Sequence, residues 1–321
     1  MLLVAAGTCD VVLAALLGLF PATLFGWLGM GVPGKPGVWR LIAVVVGMFG
    51  LLYLHAARRE RARPILAAGL AGKVFALAAW LTAAHHDREI ARMFPLVALS
   101  SLVWWVPFAA RVLAGTRIAG RVRAATPWVC AGLHGAAGFA MALVLRGGTE
   151  AEPSPAARMA YVAAHAAAWR AGFAVWMAAG MSVLALYAWW ASALPRARLA
   201  VAAVVIAGAG LACDLAGESL YAGWLPLLTG DAAAFDYLQR VGTVLTSVFA
   251  NGFYTLAGIV LTLGTPGLPR RVRTLAWVVW AAGIALSVCA AIGWATGLVA
   301  TSGVLFPALV LVALLLPRAL R

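Results

Sequence analysis

The chain has 321 residues, of which 64% are hydrophobic and 11% are charged, and its mean hydropathy is +0.97. This composition excludes an ordinary soluble domain. The formal charge of +14 does not indicate nucleic-acid binding, because the arginines form short clusters between apolar runs and the sequence has neither a continuous basic face nor an aromatic-basic RNA motif.

Apolar runs recur along the whole chain, and about 20 such residues are enough to cross the hydrocarbon core of a bilayer. Because that core offers the backbone no water to bond with, each run is expected to be an α-helix. We therefore predict an all-α, polytopic integral membrane bundle. Its ten predicted spans are residues 2–20, 37–56, 65–84, 93–114, 127–146, 171–194, 199–222, 238–262, 274–294 and 296–316.

Arginines follow every even-numbered predicted span, which places all of these groups on one side of the membrane. This side is predicted to be cytoplasmic, together with both termini. The opposite loops contain most of the acidic residues, in agreement with an outer face. The arginine groups are Arg58, Arg59, Arg61 and Arg63; Arg117, Arg121 and Arg123; Arg196 and Arg198; Arg270, Arg271 and Arg273; and Arg318 and Arg321. The outer acids are Asp87, Glu89, Glu150, Glu152, Asp231 and Asp236.

Arginine outnumbers lysine 22 to 2, and alanine is abundant, which suggests a bacterial source with a GC-rich genome. We accordingly expect a multi-pass protein of the bacterial inner (plasma) membrane. The predicted partners are the lipid bilayer and an unidentified small-molecule or ion substrate, and the oligomeric state is left open.

The basic segment 116–126 divides the chain into a four-helix bundle, residues 1–115, and a six-helix bundle, residues 127–321. We interpret this segment as a cytoplasmic linker. The longest outer loop, residues 147–170, contains Ser154, which is expected to cap a short helix with Pro155 at its first position. That helix is interpreted as lying on the outer membrane surface or, alternatively, as a lid over a site.

The seventh predicted span carries Asp214 and Glu218, which share one helix face because they are four residues apart. Carboxylates in a membrane span are costly and usually functional. The eighth span carries a polar stripe that is expected to face the bundle interior. The two spans run in opposite directions, so Glu218 and Arg240 are predicted to lie at similar depth and to form an ion pair. The stripe consists of Arg240, Thr243, Ser247, Asn251, Tyr254 and Gly258.

Asp214 should lie one turn deeper than Glu218, where desolvation and the like charge would both favour its protonated form. We hypothesise that Asp214 takes up and releases a proton or helps to bind a cation. The alternative is that Glu218 and Arg240 only tie two helices together. The predicted substrate- or proton-binding residues are Asp214, Glu218, Arg240, Ser247, Asn251 and Tyr254.

The first bundle has a possible ion pair of its own. Asp10 and Lys73 each lie about eight residues into spans that run in the same direction, so they are predicted to meet inside the membrane. Such a pair is often structural, and a functional counter-ion is the alternative. Cys130 and His134 are spaced to touch one metal ion, but the sequence locates no further ligands, so a core histidine is favoured. No metal ion or cofactor is predicted.

The sequence contains no GxSxG, HExxH, Walker A or dinucleotide-binding signature. The leading hypothesis is therefore a transporter or permease for a small solute or ion, coupled to protons through Asp214. One alternative is an enzyme acting on a lipid or isoprenoid substrate, with a pocket open to lipid between the seventh and eighth spans. The other is a structural or sensory protein without turnover.

Overall fold

A computed structural model of the chain describes residues 2–31, 36–58, 62–86 and 88–320. Within these ranges the regular structure is helical throughout, with no β-strand, and ten helices are long and apolar enough to cross a membrane. The prediction of an all-α, multi-pass membrane bundle is confirmed. The predicted positions of Arg59, Arg61, Asp87 and Arg321 lie outside the described residues.

Two compact units divide the chain, with the boundary between Ala119 and Gly120. In unit 1 the fourth span is interrupted by a π-helical turn at Ala98–Leu102. The α-helices of unit 1 are α1 (Leu2–Leu19), α2 (Pro21–Trp27), α3 (Pro36–Ala56), α4 (Arg63–His86), α5 (Arg88–Ala91), α6 (Phe94–Val97) and α7 (Val103–Leu113).

Close backbone contact joins α1 and α3. A Cβ atom built on Gly7 would lie 2.7 Å from the Gly50 carbonyl oxygen, and one on Gly50 would lie 2.9 Å from the Gly7 carbonyl oxygen. Small residues at a crossing let membrane helices approach in this way. Beside this crossing, the buried Tyr53 packs edge-on against Phe108, with ring centroids 5.4 Å apart.

Unit 2 contains the remaining helices, and three of its spans include π-helical segments, at Met141–Leu145, Leu220–Trp224 and Val244–Ala250. Its α-helices, the first of which begins at the end of unit 1, are α8 (Arg117–Ala140), α9 (Pro155–Ala164), α10 (Ala166–Ala191), α11 (Ala197–Ser219), α12 (Ala232–Thr243), α13 (Asn251–Gly264), α14 (Arg270–Ala291) and α15 (Ala295–Ala319). Single 3₁₀ turns lie at Arg146–Gly148 and Leu225–Leu227.

The centre of unit 2 is α10, which packs against α11. In its most apolar 18-residue stretch 56% of the residues are buried, a larger share than in any other candidate span of the described chain. The outward faces of the spans are apolar as well: Phe139 and Leu143 are 71% and 77% exposed. Side chains of this kind on the outside of a bundle are expected where lipid, and not water, surrounds the protein.

The segment 116–126, interpreted from sequence as a linker, is helical from Arg117 onward, because the fifth span is a longer helix than its apolar run alone indicates. The prediction for Ser154 is confirmed: its Oγ accepts a hydrogen bond from the Ala157 amide, and Pro155 begins α9. We use the term loop end for the end of unit 2 where residues 147–154 and 228–231 lie.

Candidate functional site

Asp214 lies at the meeting point of three helices. Its Oδ2 atom, on α11, accepts a hydrogen bond of 3.2 Å from the Tyr254 hydroxyl on α13. The third helix, α10, contributes Gly180, and a Cβ atom there would lie 2.7 Å from Asp214 Oδ2 and 3.5 Å from Tyr254 Oη. The missing side chain of Gly180 therefore makes the space that the half-buried Asp214 carboxyl occupies.

Glu218 lies one turn closer to the loop end on the same face of α11. Glu218 is only 3% exposed. Its Oε2 atom is buried and has no hydrogen-bond partner among the described residues. Asp214, one turn away on the same face, is the nearest charged residue along its own helix. Glu218 is thus a buried acid without an internal counter-ion in the described part of the chain.

Trp176 on α10 lies at the same level as Glu218. The antiparallel register of α10 and α11 is fixed by Phe173, which stacks on Tyr221 with ring centroids 4.9 Å apart, and by Gly180, which faces Asp214. Trp176 falls between these two contacts on the same helix face. Its Nε1 is also buried without a hydrogen-bond partner in the described residues. The Trp176 ring packs edge-on against Phe306 of α15, with ring centroids 4.9 Å apart. An unpartnered buried donor and an unpartnered buried acceptor therefore lie at the same level of unit 2.

The expected ion pair between Glu218 and Arg240 does not form. Arg240 Nη2 lies 2.7 Å from Asp236 Oδ2, and the Arg240 side chain is 77% exposed. Asp236 is one turn before Arg240 on α12, so it reaches the guanidinium from the same helix face without burying it. Arg240 therefore belongs to the surface of the loop end.

The predicted polar stripe faces more than one neighbour. Ser287 Oγ on α14 donates to the Ser247 carbonyl oxygen at 2.9 Å, and Asn251 Nδ2 donates to the Gly283 carbonyl oxygen at 2.6 Å and to Ser287 Oγ at 2.9 Å. Ser247 and Asn251 thus contact α14, whereas Tyr254 contacts α11. Among the predicted site residues, Asp214 and Tyr254 are the one pair joined by a direct hydrogen bond in the described part of the chain.

Aromatic rings close the site on its deeper side. Tyr187 packs perpendicular to Tyr254 and to Trp280, with centroid distances of 6.5 and 6.3 Å. Gly210 lets the Tyr254 ring approach α11, because a Cβ there would lie 3.0 Å from two of its carbon atoms. The Tyr254 hydroxyl is held against Asp214 by this packing.

A second polar cluster lies at the loop end, and sequence reasoning did not find it. Thr243 Oγ1 lies 2.5 Å from Glu150 Oε1 and 2.7 Å from Tyr221 Oη. Arg158, only 7% exposed, donates to Gln239 Oε1 at 2.8 Å, and Gln239 Nε2 donates to the Gly148 carbonyl oxygen at 3.0 Å. Loop 147–170 is therefore bonded to α12.

The predicted pair in unit 1 is present. Lys73 Nζ lies 3.2 Å from Asp10 Oδ2, and both side chains are buried. Lys73 also donates to the Ser100 carbonyl oxygen at 2.7 Å and lies 5.7 Å from the centre of the Tyr53 ring. Since both charges have partners, this arrangement is a complete internal ion pair.

Cys130 and His134 form an intrahelical contact, with His134 Nδ1 3.0 Å from the Cys130 carbonyl oxygen. In the part of the chain that the structure describes, no three His, Cys, Asp or Glu residues are close enough together to hold one metal ion.

Two open grooves lie along the helices of unit 2. One, of about 310 Å³, runs between α13 and α14 and is lined by Val248, Thr255, Ile284 and Ser287; the other, of about 380 Å³, lies along the first turns of α14. Asp214 and Glu218 line neither of these grooves. The lipid-enzyme alternative predicts its pocket between the seventh and eighth spans, whereas the apolar groove lies between the eighth and ninth.

The chain matches no family model, no curated protein and no solved structure. What the site does must accordingly be argued from its own geometry.

Proposed function

We propose that this membrane protein is a proton-coupled transporter of a small solute or ion, with Asp214 and Glu218 as its proton-binding pair. The observation that carries the proposal is the Glu218 carboxyl, buried in α11 with Oε2 unpartnered among the described residues. Removing the partner of a buried charge costs about 3–5 kcal/mol, so this acid holds a proton or a cation whenever the site is closed.

The two acids have different surroundings, which suits a coupled pair. Asp214 is half-buried and accepts a hydrogen bond from the Tyr254 hydroxyl. Glu218 has neither donor nor counter-ion in the described residues. Because they are one turn apart, ionisation of one disfavours ionisation of the other, and the pair titrates as a unit. A change in either environment during transport would therefore bind or release one proton.

Trp176 supports a solute site at the same level. Its indole N–H donor and the Glu218 acceptor are both buried without partners in the described residues, and burying such groups costs free energy. A polar solute that carries an acceptor for Trp176 and a donor for Glu218 would satisfy both. A role in helix packing alone would favour satisfied polar atoms, as found for Asp10 and Lys73.

The test is a transport assay in proteoliposomes that contain a trapped pH-sensitive dye. A panel of small solutes and ions is added outside, one at a time. We expect at least one to change the internal pH in proportion to the amount of protein. We expect Asp214→Asn and Glu218→Gln to abolish that signal, because an amide cannot exchange the proton. Glu152→Gln is the matched control, since this acid lies on loop 147–170 outside the spans.

Three outcomes would contradict the proposal. Solute uptake that ignores an imposed pH gradient would exclude coupling. Unchanged uptake in both Asp214→Asn and Glu218→Gln, at normal protein levels in the vesicles, would exclude the site. If no solute in the panel moves protons and infrared spectra show no titration of either carboxyl, both the proton coupling and the site assignment would be excluded.

A further inference from the structure

Three side-chain oxygens form a continuous hydrogen-bonded chain at the loop end. Thr243 Oγ1 contacts Glu150 Oε1 at 2.5 Å on one side and Tyr221 Oη at 2.7 Å on the other. Both hydroxyls also reach the Gln239 carbonyl oxygen, Thr243 at 3.0 Å and Tyr221 at 3.1 Å. Glu150 is half-buried and lies beyond the end of its span at Gly148, whereas Tyr221 is buried.

The hydrogen bonds between Glu150, Thr243 and Tyr221 can run in either of two directions, depending on how many protons the three groups hold. Each hydroxyl has one proton to donate, and the Gln239 carbonyl oxygen can only accept. When Glu150 is ionised, Thr243 donates to it and Tyr221 donates to Thr243. When Glu150 is protonated, it donates to Thr243, and the Thr243 hydroxyl then turns toward Tyr221 or Gln239. The direction of the hydrogen bonds thus reverses with the protonation of Glu150.

We propose that Glu150, Thr243 and Tyr221 form the route by which protons reach Asp214 and Glu218 from the loop end. This inference rests on the function proposed above. It assigns Glu150 as the acid that receives the proton from water and the two hydroxyls as carriers.

The transfer conserves protons at each step. A hydronium ion protonates Glu150, and Glu150 passes a proton to Thr243 Oγ1 as the Thr243 proton moves to Tyr221 Oη. The original Tyr221 proton leaves to one bridging water molecule, which protonates Glu218. Each hydroxyl ends with one proton, and Glu218 gains one. Tyr221 follows Glu218 by three residues in the same span, and we assign the gap between their two side chains to that water molecule.

Neighbouring polar and charged side chains hold Glu150 and Thr243 in place. Arg158, on α9, fixes the Gln239 side chain and lies 3.7 Å from Asp236 Oδ1, while Arg240 contacts the other oxygen of Asp236. Gln239 in turn holds the Gly148 carbonyl oxygen, two residues before Glu150. The loop that carries Glu150 is therefore tied to the helix that carries Thr243.

The experiment is a rapid pH drop on the full-length protein in lipid nanodiscs, followed by time-resolved infrared absorption of protonated carboxyls. The Asp214–Glu218 signal is identified as the band lost in Asp214→Asn and Glu218→Gln. Glu150→Gln, Thr243→Val and Tyr221→Phe should each slow the appearance of that band by about a hundredfold or more, the low end of what a positioned proton-transfer group contributes. The final amplitude should be unchanged.

Thr243→Ser and Glu152→Gln are the matched controls, because the first keeps the hydroxyl and the second removes an acid of the same loop. Both should retain the parent rate. Equal rates in Thr243→Val and Thr243→Ser would overturn the route, whether both are fast or both are slow. A rate left unchanged by Glu150→Gln would also overturn it. If no band depends on Asp214 or Glu218, the proposed function itself fails, so the two failures are distinguishable.

Discussion

Asp214 and Glu218 share one face of α11, but the residues around them differ in what they supply. Asp214 has a donor in Tyr254 and space provided by Gly180. Glu218 has burial without a partner in the described residues. Since a membrane interior supplies no water to compensate, the state of Glu218 depends on protons or ligands. Substitution of a neighbouring residue such as Gly180 should therefore affect the site as much as substitution of either acid.

Gly180→Ala tests the space beside Asp214. The new methyl group would lie 2.7 Å from Asp214 Oδ2, so the carboxyl or α10 must move. We expect loss of proton-coupled transport and destabilisation of about 1–3 kcal/mol, as is typical of overpacking. Thermal unfolding in detergent and the dye assay measure the two effects.

Gly208→Ala on α11 is the matched control, because a Cβ there meets no atom within 4 Å. It should be neutral or stabilise the protein by up to about 1 kcal/mol. Equal activity in the two variants would show that the tight contact at Gly180 is not needed for the site.

The sequence located the acids in the membrane but did not predict all of their partners. Spacing of four residues correctly gives the shared face of Asp214 and Glu218. The same rule, applied to Asp236 and Arg240, would have predicted their contact and left Glu218 alone. The role of Gly180 is different: it depends on the register between α10 and α11, which no local pattern encodes.

At the scale of helices, the π-helical segment Val244–Ala250 changes the environment of the eighth span. A stripe predicted at 100° per residue presumes a uniform α-helix. A π-helical turn takes more residues, so positions before and after it rotate relative to one another. Thr243 therefore meets the loop end, Ser247 and Asn251 meet α14, and Tyr254 meets α11. Such turns could not be read from the apolar pattern.

Ser287 stabilises this segment from α14. Its hydroxyl lies 2.9 Å from the Ser247 carbonyl oxygen and accepts from Asn251. We expect Ser287→Ala to destabilise the protein by about 1–3 kcal/mol, because buried polar groups lose their partner. Hydrogen exchange of amides 244–251 should accelerate. Thr301→Ala is the control, since that hydroxyl bonds only carbonyls of its own helix, and it should leave this exchange unchanged.

At the scale of the whole molecule, the alternating direction of successive spans fixes the relation between the arginine groups and the loop end. Within the described residues there are ten candidate spans, so helix ends that carry the arginines alternate with ends that carry the acids. The positive-inside rule then predicts that the loop end faces outward. Glu150 would in that case receive protons from outside the cell, and coupled solute movement would be directed inward by the usual proton gradient.

Cysteine labelling on intact bacterial cells expressing the chain tests this orientation. Ala233→Cys places a thiol at the exposed start of α12, and Gly267→Cys places one in the exposed turn before Arg270, at the other end of the same span. The native cysteines are buried or half-buried within spans, which keeps the background low. A membrane-impermeant maleimide should label Ala233→Cys directly and Gly267→Cys only after permeabilisation. The reverse pattern would place the loop end inside, and Glu150 would then release protons into the cytoplasm.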